Sequence, residues 1–319
     1  MLRGASKLVA PLLLTLALAA CSSSNGVSIP AAPQNPTPQQ PESLMRVGNY
    51  DLIFNGPTGR MERGHIMHVR GGFPASSSTN LNWNGGPIQA HPKIFLIFWG
   101  WSGASAPTAD PSSEAPYLLS YMDGVGGASD SGWLNTVTQY YGPVGVFVGA
   151  TGSPAGTWYD HTNSLPRRVK SSDIANEAVR AAAHFGYSAD GAYIVATPHK
   201  NNTSGFGTSF CAWHSSTSST SGPVAYTNLP YITDAGASCG EGSVNNPGTL
   251  DGVSIVGGHE LAETQTDPRP SSGWTDSSGA EIGDKCAWIN LQDYRFSTGS
   301  FPIQPLWDNK ISGCAISGP

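Results

Sequence analysis

Long apolar runs and one helical repeat mark the folded part of the chain. Lys93 to Trp101 (KIFLIFWGW) and Ala192 to Ala196 (AYIVA) are almost continuously apolar, which is typical of strands buried on both faces. Val144 to Ala150 (VGVFVGA) predicts a further strand. Ser171 to Phe185 repeats its apolar positions three and four residues apart and is followed by Gly186, so it predicts an amphipathic helix.

Weaker patterns predict the remaining elements. Two shorter helices are expected at Ala115 to Met122 and Trp133 to Tyr141. Two strands are expected at Phe210 to His214 and Val224 to Tyr226, and a longer helix at Leu250 to Thr266. Because strands and helices alternate, we expect an α/β fold with a central mixed sheet flanked by helices; an α+β fold is the alternative.

The N-terminal residues follow another pattern. A basic start, the apolar stretch Pro11 to Ala17 and the box Leu18-Ala19-Ala20-Cys21 predict a signal peptide over residues 1–20 and a lipid anchor on Cys21. The alternative is an ordinary secretory signal with a chance cysteine. Ser22 after the cysteine favours the outer membrane if the cell is Gram-negative. Residues 21–44 predict a flexible Pro/Ser-rich tether, 45–80 an N-terminal extension of undetermined structure, and 81–319 the globular domain.

Charge and cysteine content narrow the choice of compartment and partners. Charged residues make up 12% of the chain and the net charge is −6, which gives no reason to expect a nucleic acid partner. We expect an extracytoplasmic monomer. Besides Cys21, an even number of cysteines remains, which predicts two disulfides. Three pairings are open, and we favour Cys211–Cys239 and Cys286–Cys314 because each closes a loop of about 28 residues.

The segment GGHELAE, residues 257–263, carries the candidate chemistry. His259 and Glu263 are four residues apart on the predicted helix, so an imidazole and a carboxylate share one face and can bind one metal ion. Glu260 can then take a proton from metal-bound water, as in H-E-x-x-H metallopeptidases. Zinc is the expected ion, with Mn²⁺ or Ca²⁺ as alternatives, since a glutamate replaces the second histidine of that motif.

Further ligands have to come from other segments. By analogy with zinc peptidases, Glu281 is the expected third ligand and Asp284 the residue that orients a histidine, or the reverse. His214 is a candidate for metal binding or for stabilising an oxyanion. Asp267 is a weaker candidate because Asp before Pro is common in turns. The other histidines are interpreted as surface or core residues, namely His65, His68, His91, His161, His184 and His199.

Several blocks of the sequence, in matching order, resemble the plant EXORDIUM or phosphate-induced proteins. They are NWNGGPIQAHPKIFLIFWGW at 82–101, WLNTVTQYY at 133–141, FCAWHSS at 210–216, VAY at 224–226, GHELAE at 258–263 and EIGDKC at 281–286. The resemblance covers roughly residues 81–319 and implies an extracellular domain associated with cell walls. It also implies that His214, Glu281 and Asp284 share a site with the GHELAE segment, but it supplies no activity.

Three functions compete on this evidence. The first is a zinc peptidase or related hydrolase of the cell envelope, acting on a peptide or cell-wall substrate, with Glu260 and His214 in catalytic roles. The second is a non-catalytic module that binds cell wall or protein. The third is a glycoside hydrolase that uses a carboxylate pair such as Glu260 and Asp284.

Overall fold

The buried strands predicted around Lys93 and Ala192 lie side by side in a computed structural model of the protein. The structure describes residues 44–72, 78–101, 106–127, 132–151 and 154–318. The predicted signal peptide, Cys21 and the tether up to residue 43 lie outside the described residues.

Strands and helices alternate along this part of the chain. The strands are β1 Met45–Val47, β2 Asp51–Asn55, β3 Met61–His68, β4 Asn82–Trp83, β5 Lys93–Trp99, β6 Gly156–Asp160, β7 Gly191–Ala196, β8 Phe210–Ser219, β9 Gly222–Leu229, β10 Trp274–Thr275, β11 Gln292–Phe296, β12 Gly299–Ile303, β13 Leu306–Asp308 and β14 Gly313–Ala315. The α-helices are α1 Ala106–Ala109, α2 Glu114–Val125, α3 Ser171–Phe185 and α4 Asp251–Thr266. Segments of 3₁₀-helix occupy Leu134–Gln139, Pro143–Gly145, Ile232–Cys239 and Asp284–Cys286.

Eight of the strands form one mixed sheet. Its order is β1-β2-β3-β8-β9-β7-β5-β6. The strands from β9 to β6 are parallel, whereas those from β1 to β9 pair antiparallel. The predicted α/β fold with a central mixed sheet and flanking helices is therefore confirmed. Residues 45–68, whose structure the sequence left open, form the strands at one edge of this sheet.

The sheet separates two apolar cores. Side chains alternate along β5, as expected for a strand covered on both faces. Ile94, Leu96 and Phe98 belong to the core beneath α2 and α4. On the opposite face, Phe95 and Ile97 belong to the core beneath α3. The GHELAE segment thus lies inside one of the two cores.

Two local predictions need correction. The strand predicted at Val144 to Ala150 is wrong, because Pro143–Gly145 is a 3₁₀ turn and Val144 is 97% exposed. Two glycines and a proline favour a turn there, and Gly156–Asp160 pairs with β5 instead. The helix predicted at Trp133 to Tyr141 is a shorter 3₁₀-helix, Leu134–Gln139.

Both predicted disulfides are confirmed. Cys211–Cys239 joins β8 to the 3₁₀ segment that precedes α4, with the Cα atoms 5.5 Å apart. Cys286–Cys314 joins the 3₁₀ segment at Asp284 to β14, with the Cα atoms 5.7 Å apart. Paired cysteines are typical of proteins outside the cytoplasm. None of the helices in the described residues is long and apolar enough to cross a bilayer.

Candidate metal centre

Helix α4 is buried along its whole length. It ends at Thr266, where Asp267 and Pro268 follow, because proline restricts the residue before it and cannot donate a backbone hydrogen bond. Gly258 permits close packing, since a Cβ there would clash with the Tyr121 hydroxyl and the Trp133 ring. The polar residues of α4 therefore point into protein on every side.

The structure brings the candidate site residues of the sequence into one cluster. His259, Glu260 and Glu263 of α4 are all 0% exposed. His214 reaches them from β8, and Glu281 and Asp284 reach them from the segment after β10. A seventh member, His65, comes from β3 and is 1% exposed.

Three histidines and three carboxylates alternate around a closed circle, which we call the His–carboxylate ring: His259, Glu263, His214, Glu281, His65 and Asp284. Each carboxylate places one oxygen beside each of two histidines. Glu263 has Oε1 3.0 Å from His259 Nε2 and Oε2 3.7 Å from His214 Nδ1. Glu281 has Oε1 3.4 Å from His65 Nδ1 and Oε2 3.6 Å from His214 Nε2.

Asp284 closes the ring. Its Oδ2 is 2.7 Å from His65 Nε2, and its Oδ1 is 3.6 Å from His259 Nε2. Glu260 lies beside the ring, with Oε2 3.2 Å from His214 Nδ1. The cluster thus holds four carboxylates and three imidazoles without contact to bulk water.

Groups outside the ring hold its members in place. The backbone N–H groups of Gly283 and Asp284 donate to Glu263 Oε1 at 3.2 and 3.1 Å. A Cβ at Gly283 would lie 2.6 Å from His259 Nδ1, so only glycine lets this segment approach α4 so closely. The Gln304 amide donates to the Gly283 carbonyl at 2.9 Å and lies 3.1 Å from His259 Nδ1.

The Gln304 side chain faces His259. Its amide nitrogen donates to the Gly283 carbonyl and lies 3.1 Å from His259 Nδ1, so it can donate to Nδ1 only when that nitrogen carries no proton. In that tautomer the ring proton lies on Nε2, toward Glu263. Metal binding through His259 Nε2 would need the proton on Nδ1, which the Gln304 side-chain oxygen would accept after the amide turns over.

His214 presents a lone pair to negative charge. Its Nε2 is 3.2 Å from the Asp267 backbone carbonyl, which only accepts hydrogen bonds. Burial, together with His65 and His259, lowers the pKa of His214 well below its usual value, so the ring is neutral. Its Nδ1 is then an acceptor that faces Glu260 and Glu263, and a cation or a proton between these groups would relieve the repulsion.

Burial and neighbouring charges also shift the pKa values of other groups in the cluster. It raises the pKa of Glu260 and of Glu281 well above the usual range. Burial by itself lowers the pKa of His65, but Glu281 and Asp284 outweigh it and hold that pKa well above normal. In the same way Glu263 outweighs burial at His259 and raises its pKa to about 9.

Several carboxylate oxygens in the cluster have no hydrogen-bond partner among the described residues. They are Glu260 Oε1, Glu263 Oε2, Glu281 Oε1, Glu281 Oε2 and Asp284 Oδ1. Buried polar atoms normally have partners, so these oxygens need a cation or a proton.

Three sets of ligand atoms lie within 4.8 Å of one another: His259 with Glu263 and Asp284, His65 with Glu263 and Glu281, and His214 with Glu260 and Glu263. Glu263 belongs to each set. The buried His/Glu/Asp cluster can therefore form a metal site, although the identity of the ion does not follow from these distances.

The sequence did not point to His65. It lies on β3 directly opposite His214 on β8, with the ring centroids 5.6 Å apart. Only the pairing of these strands, which are distant in sequence, reveals its role. Asp51, whose Oδ1 is 3.3 Å from His65 Nδ1, and Gln304 likewise come from segments distant in the sequence, and Asp267 contributes its backbone carbonyl to the cluster.

Comparisons of the chain with protein-family models, with curated proteins and with solved structures give no match. The similarity to EXORDIUM proteins therefore remains an expectation from the sequence blocks described above.

Proposed function

We propose that the protein is a divalent-metal-dependent hydrolase of the cell envelope and that peptides are its substrates. The observation that supports this most directly is the His–carboxylate ring, in which the His214 Nδ1 lone pair and several unpartnered carboxylate oxygens converge. The lipid anchor predicted on Cys21 and the cell-wall association implied by the EXORDIUM similarity would place this activity at the envelope.

His259, Glu263 and Asp284 would hold the ion, and the set without thiolates but with imidazoles suits zinc or Mn²⁺ better than Ca²⁺. When bound, the ion supplies a water of lowered pKa and polarises the substrate carbonyl. Glu260 accepts the proton at Oε1, which has no hydrogen-bond partner in the described part of the chain. His214 lies beside this base, with its Nδ1 3.2 Å from Glu260 Oε2.

Hydrolysis requires an opening, because Glu260 and His214 are both 0% exposed. We place it at residues 267–272, which follow α4. There the Asp267 carbonyl contacts His214, and Ser271 accepts a hydrogen bond from Arg63 at 3.1 Å. Arg63 also pairs with Asp51, the neighbour of His65. Outward movement of this segment would expose the cluster.

The complete burial of the cluster favours a second candidate, in which the ion only stabilises the fold of a non-catalytic binding protein. A buried ion can join β3, β8, α4 and the 281–284 segment without any turnover. The two candidates agree on metal binding and differ on the role of Glu260.

The test compares Glu260→Gln and His259→Ala in the full chain loaded with zinc. We expect Glu260→Gln to keep its metal and to lose peptide hydrolysis by about 100-fold or more, because general acid–base catalysis contributes about that much. His259→Ala should lose both. Glu241→Gln, at an exposed glutamate, is the control and should keep both.

Undiminished turnover in metal-loaded Glu260→Gln would contradict the hydrolase mechanism. A wild-type protein that binds zinc tightly but cleaves no member of a diverse peptide library would favour the structural ion.

A further inference from the structure

We infer that the His–carboxylate ring binds two divalent cations, the second held by His65 and Glu281 and joined to the first through Glu263. This inference rests on the proposed metal dependence. It assigns a ligand role to His65, a residue outside the GHELAE motif.

The number of ligands exceeds the needs of one ion. A single zinc takes about four ligands, whereas the cluster offers three imidazoles and four carboxylates. These ligands divide into sets: His259 groups with Asp284, and His65 groups with Glu281. Both sets include Glu263, whose two oxygens face different neighbours. A carboxylate in that position can bridge two ions.

The side chain of Glu281 independently supports a second ion. Its side chain is 0% exposed, and neither of its oxygens has a hydrogen-bond partner among the described residues. By contrast, buried Glu114 accepts hydrogen bonds from the backbone N–H groups of Ile232 and Thr233. The imidazoles of His65 and His214 lie 3.4 and 3.6 Å from the Glu281 oxygens. A cation shared with His65 would give the Glu281 oxygens a partner.

The charge of the cluster also favours two divalent ions. In a metal-bound form, in which the four carboxylates are ionised and the three imidazoles neutral, the side chains of the cluster carry four negative charges. One divalent ion leaves half of that charge buried, which is costly, whereas two divalent ions neutralise it.

Asp284 supports His65 from the side opposite Glu281. Its Oδ2 is 2.7 Å from His65 Nε2, whereas Glu281 Oε1 and Asp51 Oδ1 face His65 Nδ1 at 3.4 and 3.3 Å. An ion held between His65 Nδ1 and Glu281 would leave Nε2 free to donate to Asp284, and a carboxylate in that position orients the ring and increases its basicity. His65 therefore has the support that a ligand histidine normally has.

The experiment measures metal stoichiometry in the full chain. Chelator-stripped protein is dialysed against Zn²⁺ or Mn²⁺ alone and analysed by elemental analysis. We expect about two ions per chain in the wild type and about one in Glu281→Gln. Glu114→Gln, at a buried glutamate outside the cluster, should retain both. Circular dichroism confirms that each variant is folded.

Mn²⁺ provides an independent readout by electron paramagnetic resonance. Two bridged ions should give a broadened, spin-coupled spectrum, and Glu281→Gln should give the six-line spectrum of an isolated ion. One ion per wild-type chain would overturn the two-ion inference and leave the proposed metal dependence intact. Absence of any bound ion would overturn both. Two ions that persist in folded Glu281→Gln would show that the second site lies elsewhere.

Discussion

Helices α3 and α4 lie on opposite faces of the same sheet, and their burial has different causes. Helix α3 buries an apolar stripe that includes Ile174, Ala178 and Ala181, and its other face reaches solvent. Helix α4 buries every residue, including one histidine and two glutamates that lie one turn or less apart. An apolar stripe needs only a complementary surface, whereas buried charges need specific partners. The buried histidine and glutamates of α4 therefore depend on partners from other segments of the chain.

The largest expected effect concerns the dependence of each helix on a bound ion. Both helices carry a buried glutamate: Glu177 on α3, which pairs with Arg180, and Glu263 on α4. A ligand at about 1,000 times its Kd stabilises by about 4 kcal/mol, which raises the Tm of about 275 folded residues by about 7 °C. We expect zinc to produce a shift of this order in the wild type and none in Glu263→Gln.

Glu177→Gln is the matched control for thermal melting with and without chelator. It removes a buried carboxylate from the other face and should keep the full zinc-dependent shift. Equal zinc-dependent Tm shifts in Glu177→Gln and Glu263→Gln would contradict the expected difference between the two helices.

A smaller effect on zinc binding is expected from a substitution at Gly283, where the backbone packs against α4. Gly283→Ala would push a methyl group against His259 and Glu263, so we expect zinc affinity to fall by about 10–100-fold, as for other changes behind metal ligands. Gly313→Ala is the control, because a Cβ there finds no atom closer than 3.8 Å. Competition with a chromogenic chelator measures both affinities. An unchanged affinity in Gly283→Ala would mean that this segment is not packed against the ligands as described.

The last expected effect concerns the burial of a carboxylate outside the ring. Burial raises the pKa of Glu114 from 4.5 to about 8. The folded protein therefore binds this proton more tightly than the unfolded chain. Its contribution to stability is complete below pH 4.5 and is lost as the pH rises through about 8. In chelator, the wild type should lose stability relative to Glu114→Gln across this interval.

Urea denaturation at several pH values checks this expectation, with the exposed Glu241→Gln as control. A constant difference between wild type and Glu114→Gln at all pH values would contradict it, because a fixed offset reflects only the altered hydrogen bonds.

Features of the fold that depend on residues close in sequence could be predicted, whereas those that depend on pairing between distant segments could not. The bounds of α3 are those given by its apolar repeat and by Gly186, and Pro268 marks the end of α4. Both disulfides could be predicted because each joins cysteines close in sequence. The strand predicted at Val144 to Ala150 failed because local apolarity does not show which segment pairs with β5.

Of the candidate site, the part that lies on helix α4 could be predicted from the local sequence. The GHELAE helix places His259 and Glu263 together by helical geometry alone. The contributions of His65 and Gln304 depend on strand pairing and loop packing between distant segments, and no local pattern encodes them.

The ring draws its members from residues 65 to 284, so a chain must include this whole range to contain it. A metal site built from such distant segments would fill only after they have come together, and the cysteines pair only where the surroundings are oxidising. An ion bound by the ring would then come from the metals available where the chain folds. Since zinc and copper outcompete Mn²⁺ for imidazole ligands, the place of folding would influence which ion is bound as much as the ligands do.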